Sequence, residues 1–177
     1  KFYKNKNSFF LKINIKKFFY YFASGIICNS NSSSNFFKKI YKNKSRYIIN
    51  IYNPIEIKRI KKSKKIQNRI ISVGRIQNQK NFFGLIKAFN IVSDKLPNIK
   101  LMIIGSGNEK KDLKKLCLKF NLNKKVKFLK YQNPNKFINS SKLFVLNSLW
   151  EGLPNILIET QMLRTPILST NCLSGPS

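Results

Sequence analysis

Two carboxylates lie close together in a chain that has very few. Only six of the 177 residues are acidic, and two of them, Glu151 and Glu159, are eight positions apart in the stretch 149–160. The apolar run 143–146 predicts a buried strand before them, and Pro154 suits the first turn of a helix, where its missing N–H costs nothing. We expect Glu151 in the loop after the strand and Glu159 about a turn and a half into the helix, facing one cleft. By itself, such a pair is more often simply solvated.

A second group of residues has the chemistry of a phosphate site. Gly74, Arg75, Lys80 and Asn81 follow a predicted strand and open a predicted helix. Arg can grip a phosphate with two parallel N–H bonds, Lys adds a point charge, and a helix N-terminus offers free N–H groups. That combination fits a diphosphate. Arg75 and Lys80 are explained equally well as two exposed cations without a ligand, among the 35 cations of the chain.

The glycines after the next predicted strand are less informative. Gly105-Ser-Gly107 supplies two of the three glycines of a dinucleotide-binding fingerprint, because Lys110 occupies the third place. No acidic residue ends the following strand to hold a ribose. Glycines that serve a tight turn and helix packing explain the pattern at least as well.

These residues need a scaffold, and strand and helix patterns alternate regularly from residue 68 onward. Strands are expected at 69–74, 100–105, 125–129, 143–146 and 166–170, and helices at 81–96, 109–120, 134–140 and 155–163. The buried face of the first of these helices is expected to carry Phe82, Leu85, Ile86, Phe89, Val92 and Leu96. The alternation predicts an α/β fold with a Rossmann-like parallel sheet and helices on both faces. Ligands of such sheets bind beyond the carboxyl ends of the strands, where all the glycine-containing loops of this region lie.

The first part of the chain is less regular. We predict a strand at 25–28, a helix capped within Ser32-Ser33-Ser34 and reaching Tyr41, a strand at 46–52 and a linker at 55–67. Residues 1–22 mix lysines with aromatic runs. An ordinary helix packed on a sheet is the preferred interpretation, and an interfacial membrane helix is the alternative.

Composition limits the functions that are open to these residues. An apolar fraction of 42% is enough for a core, and the absence of His excludes His-based catalysis and His metal ligands here. No apolar run of 18 residues predicts a transmembrane helix. The three cysteines have no metal spacing and fit small core residues in a reducing compartment. A net charge of +29 suits nucleic acid or an anionic membrane, but the lysines are spread over every segment and indicate compositional bias.

The segment from Trp150 to Glu159 resembles the E-x7-E segment of retaining glycosyltransferases of family 4, which use nucleotide sugars and have two Rossmann-like domains (the GT-B fold). Further landmarks match that family in order and spacing, namely Gly74-Arg75, Lys80-Asn81, 104–107, 126–128, 151–155, Thr165-Pro166 and 174–176. Residues 1–54 are similar, more loosely, to the end of the family's first domain. The resemblance thus implies the end of an acceptor domain at 1–54, a linker at 55–67 and a truncated nucleotide-sugar-binding domain at 68–177.

The resemblance also implies residue roles. Arg75 and Lys80 would bind the diphosphate and stabilise it as leaving group, Glu151 would lie by the donor sugar, and Glu159 would bind the ribose hydroxyls. The backbone around Lys130 and Tyr131 would meet the base. The other members of the predicted donor site are Gly74, Gly105, Gly152 and Leu153.

The activity implied is transfer from a UDP- or GDP-linked sugar, with retention, to a saccharide or lipid-linked acceptor in cell-envelope polysaccharide or glycoconjugate synthesis. No cofactor, metal or nucleic acid is expected to bind. The location implied is the cytoplasm, with peripheral membrane contact through residues 1–22 if the acceptor is lipid-linked. We expect the 177 residues to be a fragment that binds nucleotide without transferring sugar. A basic module for nucleic acid or anionic membrane and an NAD-dependent Rossmann enzyme stay open, and a sugar-nucleotide epimerase lacks motif support.

Overall fold

The computed structural model describes residues 19–20, 22–41, 47–55 and 64–172. The chain divides into two compact units, Lys1–Tyr52 and Asn53–Ser177. Most of the predicted helix at 1–22, most of the predicted linker and the landmark at 174–176 lie outside the described residues. None of the described helices is both long and apolar enough to cross a membrane.

The first unit contains one βαβ arrangement. Strand β1 (Gly25–Cys28) pairs in parallel with β2 (Tyr47–Asn50), and α1 (Asn31–Ile40) connects them. The predicted cap was wrong: Ser30, with extended backbone, accepts the Ser33 N–H at 3.3 Å and caps α1, whereas Ser32, Ser33 and Ser34 lie inside the helix. The last residue before the helical turn has its side-chain oxygen in reach of the free N–H groups, which explains the choice of Ser30.

The second unit is built on a five-stranded parallel sheet with the order β5-β4-β3-β6-β7. Its elements are β3 (Ile66–Val73), α2 (Phe82–Lys95), β4 (Lys100–Ile104), α3 (Lys110–Lys119), β5 (Val126–Leu129), α4 (Asn135–Asn139), β6 (Ser141–Leu146), α5 (Asn155–Met162) and β7 (Ile167–Ser169). A 3₁₀ helix at Asn78–Lys80, which the sequence analysis did not predict, precedes α2. Strand β3 begins at Ile66, so residues 66–67 belong to the sheet and not to the predicted linker.

Alternation along the strands creates a core on each face of the sheet. Leu101 and Ile103 pack on one face with α2 and α3, whereas Met102 and Ile104 pack on the other face with α4 and α5. Adjacent strand side chains point to opposite faces, and all four of these are buried. The sheet therefore has helices on both faces, as predicted.

The buried face of α2 differs from the predicted one near its end. Val92 and Leu96 are exposed by 36% and 54%, whereas Ser93 is buried. Ser93 lies three helical turns after Phe82 and takes the inward position, where its backbone oxygen accepts Lys125 Nζ at 2.9 Å. The apolar pattern alone favoured the wrong residues because polar Ser93 was not counted as a core residue.

Candidate functional site

The strand order creates a crevice between β3 and β6. These two strands lie side by side in parallel, with Ile71 opposite Phe144. The chain leaves β3 toward β4 on one side, and it leaves β6 toward β7 on the other. Because the two connections run in opposite directions, they leave a space beyond the carboxyl ends of β3 and β6. Parallel α/β sheets bind their ligands at such a position.

An ion pair lies at this crevice. Lys80 Nζ, from the segment after β3, lies 2.5 Å from Glu151 Oε1, from the loop after β6, and their side chains are only 15% and 8% exposed. Ser148 Oγ donates a hydrogen bond to the same carboxylate oxygen at 2.5 Å. The structure thus brings together two residues that were predicted for one site and adds Ser148, which the sequence analysis missed.

Hydrogen bonds fix the two loops to each other. The Leu149 N–H donates to Gln79 O at 2.8 Å, and Gln79 Nε2 donates to Trp150 O at 2.9 Å. Asn147 Nδ2 donates to Asn81 O at 3.0 Å. The 3₁₀ helix that carries Lys80 is therefore held against the loop that carries Glu151.

Asn81 turns the chain immediately after Lys80. It is left-handed, with φ 47° and ψ 46°, and its Oδ1 accepts the Gly84 N–H at 3.2 Å as the cap of α2. A Cβ on Gly84 would lie 2.6 Å from Asn81 Nδ2 and 3.0 Å from Asn147 Nδ2. Asn is one of the few residues that tolerate this backbone conformation, and Gly84 leaves space for both amides. Asn147 and Ser148 were missed although polar residues directly after a buried strand could have pointed to them.

The glycines after β4 allow another close approach. A Cβ on Gly105 would lie 1.9 Å from Gly74 O, and one on Gly107 would lie 2.0 Å from Ile76 O. The Ile76 N–H donates to Ser106 O at 2.9 Å, so the loop after β3 crosses directly over the end of β4. This supports the packing explanation for these glycines, with a loop rather than a helix as the partner.

Other predicted residues lie at the same edge without joining the ion pair. Gly74 supports the stem of Lys80, since a Cβ there would lie 3.2 Å from Lys80 Cε. The exposed members are Arg75 after β3, Lys130 and Tyr131 after β5, and Gly152 after β6, and Leu153 is partly buried.

The helix after Glu151 places the second carboxylate. Glu159 is the fifth residue of α5 and is partly buried, and its carboxylate has no hydrogen bond or ion pair with any other described residue. Pro154 occupies the cap position directly before α5, not its first turn as predicted. Its carbonyl accepts the Leu157 N–H at 2.8 Å. Because Pro154 lies before the helix, no hydrogen bond of α5 requires the N–H that proline lacks.

A basic cavity lies at the opposite edge of the sheet. It has a volume of about 600 Å³ and is lined by Arg69, Lys100, Lys124, Lys125 and Lys127 among ten residues, none of them acidic. Part of the hydrogen-bonding capacity of Arg69 is already used, since its Nε donates to Ser141 Oγ at 2.9 Å. Burial lowers the pKa of its guanidinium. Any polyanion bound here would lie far from the Lys80–Glu151 pair.

Comparison with known proteins decides the family. Residues 54–177 match the sequence profile of the family described as Glycosyl transferases group 1. The chain belongs to this family. Over 173 residues the chain is 37% identical to an uncharacterized glycosyltransferase of Methanocaldococcus jannaschii, with 90% of this chain and 43% of that protein covered. It is 27% identical to the amylovoran biosynthesis glycosyltransferase AmsD of Erwinia amylovora, with 92% of this chain and 48% of that protein covered.

The chain thus spans less than half the length of these curated relatives. Among solved structures it is similar to Staphylococcus aureus TarM, crystallised with UDP, with a TM-score of 0.78 at 23% identity. That match covers 97% of this chain and 34% of TarM. The likeness confirms the predicted fold class, an α/β fold of the GT-B type.

Proposed function

We propose that residues 68–177 bind the nucleotide sugar in a retaining glycosyltransferase of family 4, which transfers a sugar from a UDP- or GDP-linked donor to a saccharide or lipid-linked acceptor. The observation that carries the proposal is the Lys80–Glu151 pair in the crevice between β3 and β6, at 2.5 Å. Membership in the group 1 family and the relative named for amylovoran biosynthesis support a role in cell-envelope polysaccharide or glycoconjugate synthesis.

Charge compensation of the leaving diphosphate is assigned to two cations. The exposed Arg75 is free to reach a diphosphate, and Lys80 is held by Glu151 at the crevice, so that its ammonium does not have to be ordered when the donor binds. Preorganised cations stabilise charge that develops on a leaving group. The proposed transfer needs no metal ion, since Arg75 and Lys80 supply the positive charge.

The carboxylates are assigned to hydroxyl groups. Lys80 and Ser148 both contact Glu151 Oε1, and no described residue donates a hydrogen bond to Oε2. We assign Oε2 to a hydroxyl of the donor sugar. Glu159, whose carboxylate has no partner among the described residues, is assigned to the ribose hydroxyls, since a carboxylate accepts hydrogen bonds from a diol. Backbone at Lys130 and Tyr131 is assigned to the base, and Gly152 and Leu153 to the diphosphate and sugar.

The cell context follows from the substrates of the proposed reaction. We assign the enzyme to the cytoplasm, with peripheral membrane contact where the acceptor is lipid-linked. Liposome co-sedimentation of the chain with and without residues 1–22 tests that contact. We expect a smaller fraction of the shorter chain to sediment with the liposomes.

Ligand binding tests the proposal directly. UDP, GDP, NAD and a short oligonucleotide would be titrated calorimetrically at moderate salt into the wild type, Arg75→Ala and Glu159→Gln. Lys127→Ala, which removes a cation at the opposite edge of the sheet, is the matched control. We expect UDP or GDP to bind saturably, with affinity lowered roughly tenfold by Arg75→Ala and Glu159→Gln and unchanged by the control.

Two other outcomes would contradict the proposal. Binding of the oligonucleotide alone, weakened by Lys127→Ala and not by Arg75→Ala, would favour the basic cavity as an anion-binding module. Binding of NAD without an effect of Glu159→Gln would favour the dehydrogenase-like alternative. Circular dichroism of every variant confirms that a lost affinity is not a lost fold.

A further inference from the structure

The single tryptophan of the chain is exposed at the proposed site. Trp150 directly precedes Glu151, and its surface is 50% exposed, while its neighbour Leu149 is 45% exposed. An indole normally buries a large apolar area on folding. An indole that stays half-exposed to water therefore contributes less hydrophobic stabilisation. Adjacent exposed apolar side chains at the rim of a polar crevice are typical of a contact surface.

The backbone that carries Trp150 is held in place. Its carbonyl accepts Gln79 Nε2 at 2.9 Å, the preceding N–H donates to Gln79 O at 2.8 Å, and the following Glu151 is buried. All of these bonds lead to the 3₁₀ helix that carries Lys80. The half-exposed indole therefore stands on a backbone segment that is held in place, next in sequence to Glu151 of the ion pair.

We propose that the indole of Trp150, with Leu149 beside it, is the surface on which a sugar ring of a substrate packs. One face of a pyranose presents C–H groups that suit an aromatic face, while its hydroxyls suit carboxylates such as Glu151. The proposal rests on the proposed function for the nature of the ligand. It adds the residue that contacts the sugar ring, whether that ring belongs to the donor or to the acceptor.

The nucleotide base is a less suitable occupant of the indole face. The base is assigned to the loop after β5, and in the order β5-β4-β3-β6 three strand spacings separate it from the loop that carries Trp150. At about 4.8 Å per spacing, that distance is roughly 14 Å. Stacking of the base on Trp150 is nevertheless kept as an outcome of the test.

Quenching of fluorescence by acrylamide tests the contact in the wild type, where Trp150 is the only tryptophan. The ligands are UDP, then UDP-glucose, UDP-galactose and UDP-N-acetylglucosamine, and then each free monosaccharide in the presence of UDP. If the titration shows that GDP binds instead, GDP and GDP-mannose replace UDP and its sugars. We expect at least one sugar-bearing sample to lower the quenching constant by roughly half relative to UDP alone, since a ring packed on the indole shields it. Protection by a nucleotide sugar assigns the donor, and protection by a free monosaccharide but by no nucleotide sugar assigns the acceptor.

Calorimetry with three variants supplies the energetic side of the test. We expect Trp150→Ala to lower the affinity for the ligand that protects Trp150 about three- to tenfold. Trp150→Phe should keep most of that affinity because it keeps an aromatic ring. The affinity for UDP should stay unchanged in both. Leu168→Ala, at a leucine that is 59% exposed on β7, controls for loss of an exposed apolar side chain.

Specific results would overturn the inference without deciding the proposed function. If UDP alone protects Trp150 as strongly as every nucleotide sugar, the indole contacts the base. If no sugar-bearing sample protects it and Trp150→Ala leaves all affinities unchanged, it contacts no substrate, although UDP binding that depends on Arg75 would still support the proposed function. If neither UDP nor GDP binds, the proposed function fails, and the free monosaccharides alone decide the role of Trp150.

Discussion

At the scale of single residues, Lys80 and Glu151 depend on each other. Their side chains are 15% and 8% exposed, so each is largely removed from water and relies on the other for its opposite charge. Removal of one partner from such a pair leaves an uncompensated charge, which costs more than the intact pair contributes. The hydroxyl of Ser148, which donates to Glu151 Oε1, reduces that cost for the carboxylate.

A double-mutant cycle measures this dependence. We expect Lys80→Met and Glu151→Gln each to lower the free energy of unfolding by about 1–3 kcal/mol, with a coupling energy of about 1–2 kcal/mol. Urea unfolding at neutral pH gives all four values. The control cycle uses Asp112 and Lys115, which lie 3.6 Å apart with side chains 63% and 79% exposed and should couple by less than about 0.5 kcal/mol. Additive effects of the Lys80 and Glu151 substitutions would contradict the pairing.

Gly105 lies where the neighbouring backbone leaves no space for a side chain. A Cβ there would lie 1.9 Å from Gly74 O, whereas a Cβ on Gly74 would meet only the flexible side chain of Lys80, at 3.2 Å. We expect Gly105→Ala to lower the free energy of unfolding by about 2–4 kcal/mol and Gly74→Ala by less than about 1 kcal/mol. Urea denaturation of both variants checks this order, and equal losses would show that the loop after β3 can move away from β4.

At the scale of elements, the end of α5 carries local strain. Arg164 follows the helix in the left-handed region, with φ 53°. Its N–H donates to Gln161 O at 2.8 Å, and the Thr165 N–H donates to Thr160 O at 3.2 Å, so the conformation is needed to close the helix. A left-handed conformation costs a residue with a side chain about 1–2 kcal/mol, a cost that glycine avoids.

Arg164→Gly should therefore stabilise the chain. We expect a gain of about 0.5–1 kcal/mol in the free energy of unfolding, because relief of the strain exceeds the greater freedom of glycine in the unfolded state. Arg164→Ala removes the same exposed side chain but keeps the Cβ, so it should give no gain. Thermal unfolding followed by circular dichroism compares the two variants, and equal melting temperatures would mean that the conformation carries little strain.

Most elements could be predicted from local patterns, and the failures have physical causes. Each predicted strand and helix of residues 68–177 is present because buried apolar runs and amphipathic stripes are long enough to recognise. The 3₁₀ helix Asn78–Lys80 was missed since three residues carry no periodicity. The cap at Ser30 was missed because four candidate serines lie close together and only the path of the backbone chooses among them.

At the scale of the whole molecule, each of the two compact units contains its own buried thiol. Cys28, 5% exposed, belongs to the smaller unit, and Cys117, 2% exposed, belongs to the larger one. Burial raises the pKa of both thiols, that of Cys117 from its ordinary value of 9.0 to about 11. A folded-state pKa above the unfolded value stabilises the fold below pH 9, and this contribution is lost as the pH rises through 11.

Alkylation should therefore report the opening of each unit. At pH 8 we expect iodoacetamide to modify Cys28 faster than Cys117, because the smaller unit buries a smaller fraction of its surface than the larger one and opens more readily. Mass spectrometry of peptides after increasing reaction times gives both rates, and the same reaction in urea gives the unprotected rates as a reference. Equal rates in native buffer would indicate that the two units open together.

The sequence by itself determined the α/β fold, the order of strands and helices in 68–177, and the edge of the sheet at which polar and charged residues collect. These features depend on residues that are near one another in the chain. Only the tertiary structure decided which loops meet. Lys80 and Glu151 are 71 positions apart, and they touch because β3 and β6 become neighbours in the sheet. The close approach of Gly105 to Gly74 likewise depends on how strands align, and strand order is set by the packing of whole layers rather than by a local pattern.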